Sequence, residues 1–268
     1  MKKLNGRLLI TGLAGLLLSI QVGAINAQEQ GAPFKFGTAL GYPPFEYMGP
    51  DGKMTGFEID LGNAICEQMK RPCEWQDVEF SSMTPALKAR KFDAFIASVA
   101  VTEDRKKQVL FSDKIYSSST RFLARKESGL LPNAAVLAGK RVGVEQGTIN
   151  ERFAKRRWAT EGVKVVSYPD QDTMYSDLTS GRLDGVIVAG IQAQLGFLNT
   201  EKGSDFEFVG QTIVDPIMGD DYSAIAVNQG NQKVVDDLNR ALAELRANGT
   251  YDRLASKYFP SSISLNGE

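Results

Sequence analysis

The chain has 268 residues, 43% of them hydrophobic and 24% charged, with 31 basic residues, 32 acidic residues and no histidine. This composition suits one large or two modest globular domains, and it excludes disordered and collagen-like chains. The charge balance gives no reason to expect a nucleic-acid partner, and the lack of histidine removes the usual base and metal ligand.

The first segment of the chain, 1–27, has the pattern of a cleavable signal peptide. Three basic residues precede an apolar run over 8–20, and small residues follow it. We expect cleavage after Ala27, with Ala24 as the second choice. The run is too short to span a bilayer, which argues against a membrane anchor, and no cysteine follows it, which argues against a lipoprotein. Removing the segment leaves 28 basic and 32 acidic residues, and we expect a periplasmic protein.

Strands alternate with helices along the rest of the chain, which predicts an α/β fold with parallel sheets. The helix over 81–90 begins with a serine cap, and Gly249 is expected to cap a helix in the C-terminal segment. The predicted strands cover 34–40, 73–80, 92–99, 141–147, 163–169 and 184–190. The predicted helices cover 56–70, 81–90, 172–181 and the helical C-terminal segment 231–259.

Two segments of this alternation, 87–99 and 178–190, match each other without a gap. Leucine, a basic residue, aspartate and isoleucine recur at the same four places in "LKARKFDAFIASV" and "LTSGRLDGVIVAG". One short match could arise by chance, but the helix–strand order around both segments also repeats. We therefore predict two similar lobes without a flexible tether, joined by hinge strands, with a cleft where the strand ends meet.

Cys66 and Cys73 are the two cysteines of the chain, separated by six residues. An even pair in an exported protein predicts a disulfide, with two unpaired buried thiols as the alternative. Two cysteines without histidine do not make an ordinary zinc site, so we expect no metal.

Residues at the ends of the repeated strands are candidates for binding. Ser98 and Ala189 end these strands and should face the cleft. Arg105 lies in the first turn of the helix that follows the first strand, where a positive charge opposes the helix dipole. A carboxylate, which a guanidinium can bind through two hydrogen bonds, would compensate for this. The alternative is a structural ion pair with Glu103 or Asp104.

The second lobe and an aromatic loop offer further contacts. Gly147 and Thr148 open a helix whose backbone N–H groups could hold the other side of the same anion. Tyr42, Phe45 and Tyr47 lie on a loop ordered by two prolines. Such aromatic residues usually belong to the core or a lid, and at least one could form a stacking wall.

Several motifs in register resemble those of the periplasmic polar amino-acid-binding proteins of ABC importers. They include "YPPFEYMGPDGKMTGFEIDL", the C-x6-C pair, "FDAFIASVAVTEDR", "VGVEQGT", "SGRLDGVI" and "NGTYDRLASKYF". The likeness runs from about residue 34 to residue 259 and is strongest to the lysine/arginine/ornithine and histidine binders. It implies the two-lobed type II periplasmic binding protein fold, with lobe 1 over 28–118 and 222–268, lobe 2 over 119–221, and two hinge strands.

The resemblance also implies a function and a set of ligand contacts. A monomeric receptor without a cofactor would carry an amino acid, or a carboxylate-bearing derivative, to an inner-membrane ABC permease with its ATPase. A periplasmic enzyme on the same scaffold, similar to cyclohexadienyl dehydratases, is the alternative and would use Glu145 as an acid. The residues carried over are Arg105, the backbone at Ala100, and Thr148 with Ile149 for the carboxylate, Tyr42 and Phe80 as walls, and the Ser98 carbonyl for the amino group.

Three positions depart from the family pattern. The acid that receives the ligand's α-ammonium is replaced by Ala189, and an acid near the ligand side chain is replaced by Ala39. Glu145 stands where the family has an apolar wall. We therefore expect weak binding of lysine, arginine, ornithine and histidine, because the ligand either has a substituted or absent amine or pairs another cation with Glu145. An ordinary receptor whose amine is held by Glu145 and backbone carbonyls is the alternative.

Overall fold

The computed structural model describes Met1 and residues 31–220, 222–261 and 263–265, so the predicted signal peptide lies outside the described residues. The strands in this part of the chain are β1 (Phe34–Thr38), β2 (Tyr47–Met48), β3 (Met54–Thr55), β4 (Cys73–Asp77), β5 (Ala94–Phe95), β6 (Val109–Phe111), β7 (Tyr116–Ser117), β8 (Thr120–Arg125), β9 (Arg141–Glu145), β10 (Lys164–Tyr168), β11 (Gly185–Ala189), β12 (Phe206–Phe208), β13 (Tyr222–Ser223) and β14 (Ala226–Asn228). The α-helices are α1 (Phe57–Gln68), α2 (Met83–Lys88), α3 (Glu103–Lys106), α4 (Ala134–Leu137), α5 (Ile149–Phe153), α6 (Gln171–Thr179), α7 (Gly190–Gln192), α8 (Gln232–Ala247) and α9 (Thr250–Tyr258).

Two five-stranded sheets with the same pattern of strand directions form the two lobes. The lobe 1 sheet has the order β4-β1-β5-β14-β6, and the lobe 2 sheet has the order β10-β9-β11-β8-β12. In each sheet the first three strands of this order are parallel. The fourth strand, β14 or β8, runs antiparallel to both of its neighbours. The predicted α/β fold with parallel-rich sheets in two lobes is therefore confirmed.

The connection between the lobes is formed by short strands. β7 and β13 pair antiparallel, with Ser117 opposite Tyr222, and Ala100 bridges to Ser223 beside them. β14 then returns to the middle of the lobe 1 sheet, between β5 and β6. These crossings lie near the predicted lobe boundaries, and the boundaries themselves stay a prediction.

Both faces of each sheet are covered, as parallel sheets require. In lobe 1, α1, α8 and α9 cover one face, and α2 with Phe80 covers the other. In lobe 2, a cluster around Trp158 covers one face and a cluster around Tyr175 covers the other. The disulfide predicted between Cys66 and Cys73 is confirmed, with a Cα–Cα distance of 5.7 Å, and it joins α1 to β4.

The internal repeat occupies equivalent places in the two lobes. The Asp93 carboxylate accepts a hydrogen bond from the N–H of Lys35 at 2.9 Å, and Asp184 accepts one from the N–H of Arg141 at 2.7 Å. Each aspartate therefore connects the strand that follows it to the neighbouring strand of its own sheet, which is β1 in lobe 1 and β9 in lobe 2. Its own N–H returns a bond to the carbonyl of the same partner. The sequence match reflects one structural unit used twice.

Some predicted elements are shorter than expected. The strand predicted over 92–99 is reduced to β5, because Ser98 has a left-handed backbone with φ of 51°. Ser82 stands at the start of α2, but its side chain makes no capping hydrogen bond, so the predicted serine cap is wrong. The C-terminal helical segment is divided into α8 and α9 at Gly249, whose φ is 74°. No helix of the described residues is long and apolar enough to span a membrane.

Candidate functional site

A cleft of about 900 Å³ lies between the lobes at the ends of the central strands. Gly147 and Tyr47 do not line it, but it contains nine other residues that the sequence singled out for binding, and their contacts with a ligand stay a prediction. These residues are Tyr42, Phe80, Ser98, Ala100, Arg105, Glu145, Thr148, Ile149 and Ala189.

Arg105 is held at the cleft by contacts from both lobes. Its backbone N–H donates to the hydroxyl of Thr102, which caps α3. Its guanidinium donates to the carbonyl of Ala100 at 2.7 Å and, across the cleft, to the carbonyl of Gly147 at 3.1 Å. The guanidinium also lies 5.3 Å from the ring centre of Phe80. These contacts fix its position and leave its charge without an acidic partner among the described residues.

The charge of Arg105 is destabilised by its surroundings. Burial and the nearby Arg152 lower the pKa of Arg105 to about 10. The acids beside it are engaged elsewhere, because Glu103 pairs with Lys106 and Asp104 pairs with Arg152. A carboxylate brought into the cleft would therefore relieve an unfavourable charge as well as form hydrogen bonds.

Ser98 is set in its left-handed conformation by a buried carboxylate. Its N–H donates to both oxygens of Glu58, at 2.9 and 3.1 Å, and its hydroxyl lies 2.7 Å from the hydroxyl of Tyr116. Burial, reinforced by the charge of Glu58, raises the pKa of Glu46 well above its ordinary value. Burial also raises the pKa of Glu58, which is hydrogen-bonded to Glu46 and accepts from Ser98 and Tyr116.

Glu145 ends β9 and is 8% exposed, at the wall that lobe 2 presents to the cleft. One carboxylate oxygen accepts a hydrogen bond from Nε2 of Gln171 at 2.9 Å. Burial raises the pKa of Glu145 to about 7, and no basic side chain among the described residues counteracts this. Gln171 is 4% exposed, and its Oε1 has no hydrogen-bond partner among the described residues.

The turn from β9 into α5 is more fully bonded than its sequence suggests. The N–H of Gly147, a predicted anion donor, donates to the Glu151 carboxylate at 2.7 Å. Thr148 caps α5 by accepting from the N–H of Glu151, and its hydroxyl donates to the Glu145 carbonyl at 2.7 Å. Gly147 is therefore not free to bind an anion, while Thr148 and Ile149 still line the cleft.

Ala189 and Tyr42 complete the predicted set. Ala189 ends β11 opposite Thr120 of β8, so a methyl group stands at the position to which the resemblance assigns an ammonium-binding acid. Tyr42 packs against Phe45 with ring centres 5.9 Å apart. Burial, with a contribution from the Glu145 charge, raises the pKa of Tyr42 well above its ordinary value. Tyr42 is therefore a neutral aromatic wall close to Glu145.

The lobes touch at three further places around the cleft. Arg152 of lobe 2 forms a 2.8 Å ion pair with Asp104 of lobe 1. A Cβ at Gly196 would lie 2.4 Å from the carbonyl oxygen of Pro43, and a Cβ at Gly147 would lie 2.8 Å from the Cα of Ser81. The approach of the lobes therefore depends on glycine at two positions of lobe 2.

Sequence reasoning missed Gln171, Glu46, Glu58 and Tyr116. Glu58 is fully buried in α1 beside apolar residues, and an acidic residue in such a run is an available signal. Gln171 opens α6 directly after its capping residue Asp170 and carries no comparable local signal. In the part of the chain that the structure describes, no cluster of His, Cys, Asp or Glu side chains could hold a metal ion.

Comparison with known proteins identifies one family over nearly the whole described chain. Residues 34–261 match the bacterial extracellular solute-binding proteins, family 3. The lysine/arginine/ornithine-binding periplasmic protein of Escherichia coli K12 is 38% identical over 252 residues, which cover 92% of this chain and 97% of that protein.

Solved structures give the same fold. A Salmonella typhimurium periplasmic binding protein, described as having high arginine specificity, has a TM-score of 0.79 and 31% identity, covering 86% of this chain and all of that one. An ancestral amino-acid-binding protein described as a precursor of cyclohexadienyl dehydratase has a TM-score of 0.73 and 24% identity, covering 85% of this chain and 95% of that one. That second likeness concerns the fold alone.

Proposed function

Because the chain belongs to family 3 of the bacterial extracellular solute-binding proteins and is a two-lobed receptor for a small solute, we propose that its ligand is an amino acid or a carboxylate-bearing amino-acid derivative. The observation that carries this proposal is Arg105, a cleft-lining guanidinium without an acidic partner among the described residues. The carboxylate would bind Arg105 near Ala100, with Phe80 and Tyr42 as walls.

The receptor would deliver its ligand to an inner-membrane ABC permease and its ATPase, acting as a periplasmic monomer. The signal-peptide pattern over 1–27 and the periplasmic relative from Escherichia coli support this location. Lobe 1 would comprise 28–118 and 222–268, and lobe 2 would comprise 119–221. β7 and β13 would serve as the hinge strands.

The protein is proposed to bind without turnover. The relative and the arginine-specific structure described above are named as binding proteins, which supports a receptor over the dehydratase-like alternative. Incubating purified protein with prephenate or arogenate and following the products separates the two functions. Formation of phenylpyruvate or phenylalanine at a catalytic rate would overturn the receptor proposal.

The ligand proposal is tested by a thermal-shift panel. It contains the twenty amino acids, ornithine, citrulline and N-substituted derivatives such as N²-(1-carboxyethyl)arginine, since a bound ligand raises the melting temperature. Because Ala189 offers no carboxylate to an α-ammonium, we expect larger shifts from derivatives with a substituted nitrogen than from the standard basic amino acids. A sub-micromolar dissociation constant for one standard amino acid would contradict this preference and leave the receptor function standing.

A further inference from the structure

We propose that Glu145 and Gln171 together form a receiver for a cationic group at the far end of the ligand from its carboxylate. The proposal rests on the proposed receptor function and specifies the class of its ligand. That class is a carboxylate compound that also carries a guanidinium or ammonium group on its side chain.

The first argument is the unused hydrogen-bonding capacity of the pair. Glu145 is 8% exposed and Gln171 is 4% exposed, so both are largely withdrawn from solvent. Gln171 lines the cleft, and its buried Oε1 has no hydrogen-bond partner among the described residues. Buried polar atoms in folded proteins are nearly always hydrogen-bonded. The two cleft-lining side chains are joined by the Gln171 Nε2 hydrogen bond and retain acceptor capacity, which suits a group that donates several hydrogen bonds.

The second argument is charge. Glu145 receives a stabilising hydrogen bond from Gln171 but is not stabilised by any basic residue in the described part of the chain. Arg105, at the same cleft, likewise lacks an acidic partner among the residues that the structure describes. A molecule with a carboxylate for Arg105 and a cation for Glu145 would compensate for both charges at once.

The third argument is position. The guanidinium of Arg105 donates to the carbonyl of Gly147, which is two residues after Glu145. Two residues of chain span at most about 7 Å, so the backbone at Glu145 lies within that distance of the Arg105 contact, and both side chains line the same cleft. Tyr42 lies close enough to Glu145 for the charge to raise its pKa, and it offers an aromatic surface to a flat cation. A guanidinium fits two acceptors beside a ring better than a compact ammonium does.

The test compares matched probes by calorimetry at pH 8. N²-acetylarginine and N²-acetylcitrulline differ in the side-chain cation and lack an α-ammonium, whereas citrulline has only the α-ammonium. We expect N²-acetylarginine to bind at least about tenfold more tightly than N²-acetylcitrulline. Glu145→Gln should reduce that ratio to within about threefold, and Gln171→Met should reduce it partly. Comparing N²-acetyllysine, whose side-chain amine is free, with N²-acetylarginine shows whether the site prefers an ammonium or a guanidinium group.

The outcomes separate this proposal from the proposed function. If Arg105→Ala weakens both acetylated probes while Glu145→Gln leaves their ratio unchanged, the cation receiver is wrong and the carboxylate anchor stands. If Glu145→Gln weakens citrulline but not N²-acetylarginine, Glu145 receives the α-ammonium and the side-chain assignment is wrong. If Arg105→Ala changes no affinity, the proposed carboxylate anchor is wrong. A fold control is the circular dichroism spectrum of each variant.

Discussion

Replacing Glu145 by glutamine should stabilise the protein above neutral pH. In the folded chain the pKa of Glu145 is raised from 4.5 to about 7 by burial. Between these values the folded protein keeps a proton that the unfolded chain releases, so stability falls as the pH rises through this window. At 1.36 kcal/mol for each pKa unit, the ionised carboxylate costs the fold about 3 kcal/mol at pH 8 and about 1 kcal/mol or less at pH 5.

The neighbours of Glu145 determine how cleanly this effect can be isolated. Asp170 raises its pKa further, and the Gln171 amide lowers it. The tyrosines near it, Tyr42 and Tyr175, stay neutral because burial raises their pKa values. Burial also raises the pKa of Glu46 well above its ordinary value. The glutamine variant removes the charge change of Glu145 near pH 7 and leaves these neighbours in place.

The assay is thermal unfolding of the wild-type protein and Glu145→Gln at pH 5 and pH 8, without added ligand. At pH 8 the variant should melt roughly 6 to 12 °C higher, and at pH 5 the difference should be much smaller. Glu151→Gln is the control. The Glu151 carboxylate accepts hydrogen bonds from Gly147, Lys155 and Ser167, so neutralising it should destabilise the protein. Equal melting differences at both pH values would refute a buried carboxylate without a cationic partner.

Four further outcomes are expected. Arg105→Ala should weaken N²-acetylarginine binding by about 2 to 5 kcal/mol in calorimetry, because the desolvated carboxylate of the ligand loses its partner. Unchanged affinity would exclude Arg105 as the carboxylate anchor. The affinity of N²-acetylarginine should fall about tenfold for each pH unit below 7, because binding requires ionised Glu145, and a flat profile would contradict that requirement. Gly196→Ala should lower affinity about tenfold or more, because its Cβ would lie 2.4 Å from the Pro43 carbonyl oxygen and force the lobes apart. Unchanged affinity would show that the approach of the lobes does not depend on this glycine. Replacing both cysteines by serine should cost about 2 kcal/mol of stability and leave affinity unchanged, with lost affinity contradicting a purely structural disulfide.

The location of the cleft could be predicted from the sequence because it depends on local patterns. Apolar runs mark the central strands, the repeat shows that two of them are equivalent, and parallel strands present their ends at one edge. This reasoning placed Ser98, Ala189 and Arg105 beside one cleft. The helix dipole argument for Arg105 needed only its position after a strand.

The partners of those residues could not be predicted in the same way. The bond between Ser98 and Glu58 joins residues 40 apart, and the bond between Gln171 and Glu145 joins residues 26 apart. The apolar run 92–99 favours a long strand, and the contact with Glu58 holds Ser98 outside the β region. The tertiary contact with Glu58 therefore determines the backbone of Ser98 more strongly than strand propensity does, and a local sequence pattern cannot predict such a contact.

The late position of β14 in the chain has a consequence for the order of folding. β14 lies between β5 and β6 in the lobe 1 sheet, yet it follows every strand of lobe 2 in the sequence. The lobe 2 sheet is complete once β12 is available, whereas lobe 1 lacks a central strand until β14 joins it across more than a hundred residues. Loop closure over such separations slows the pairing of strands. In pulsed hydrogen exchange during refolding, we expect the amides of β9 and β11 to become protected before those of β5.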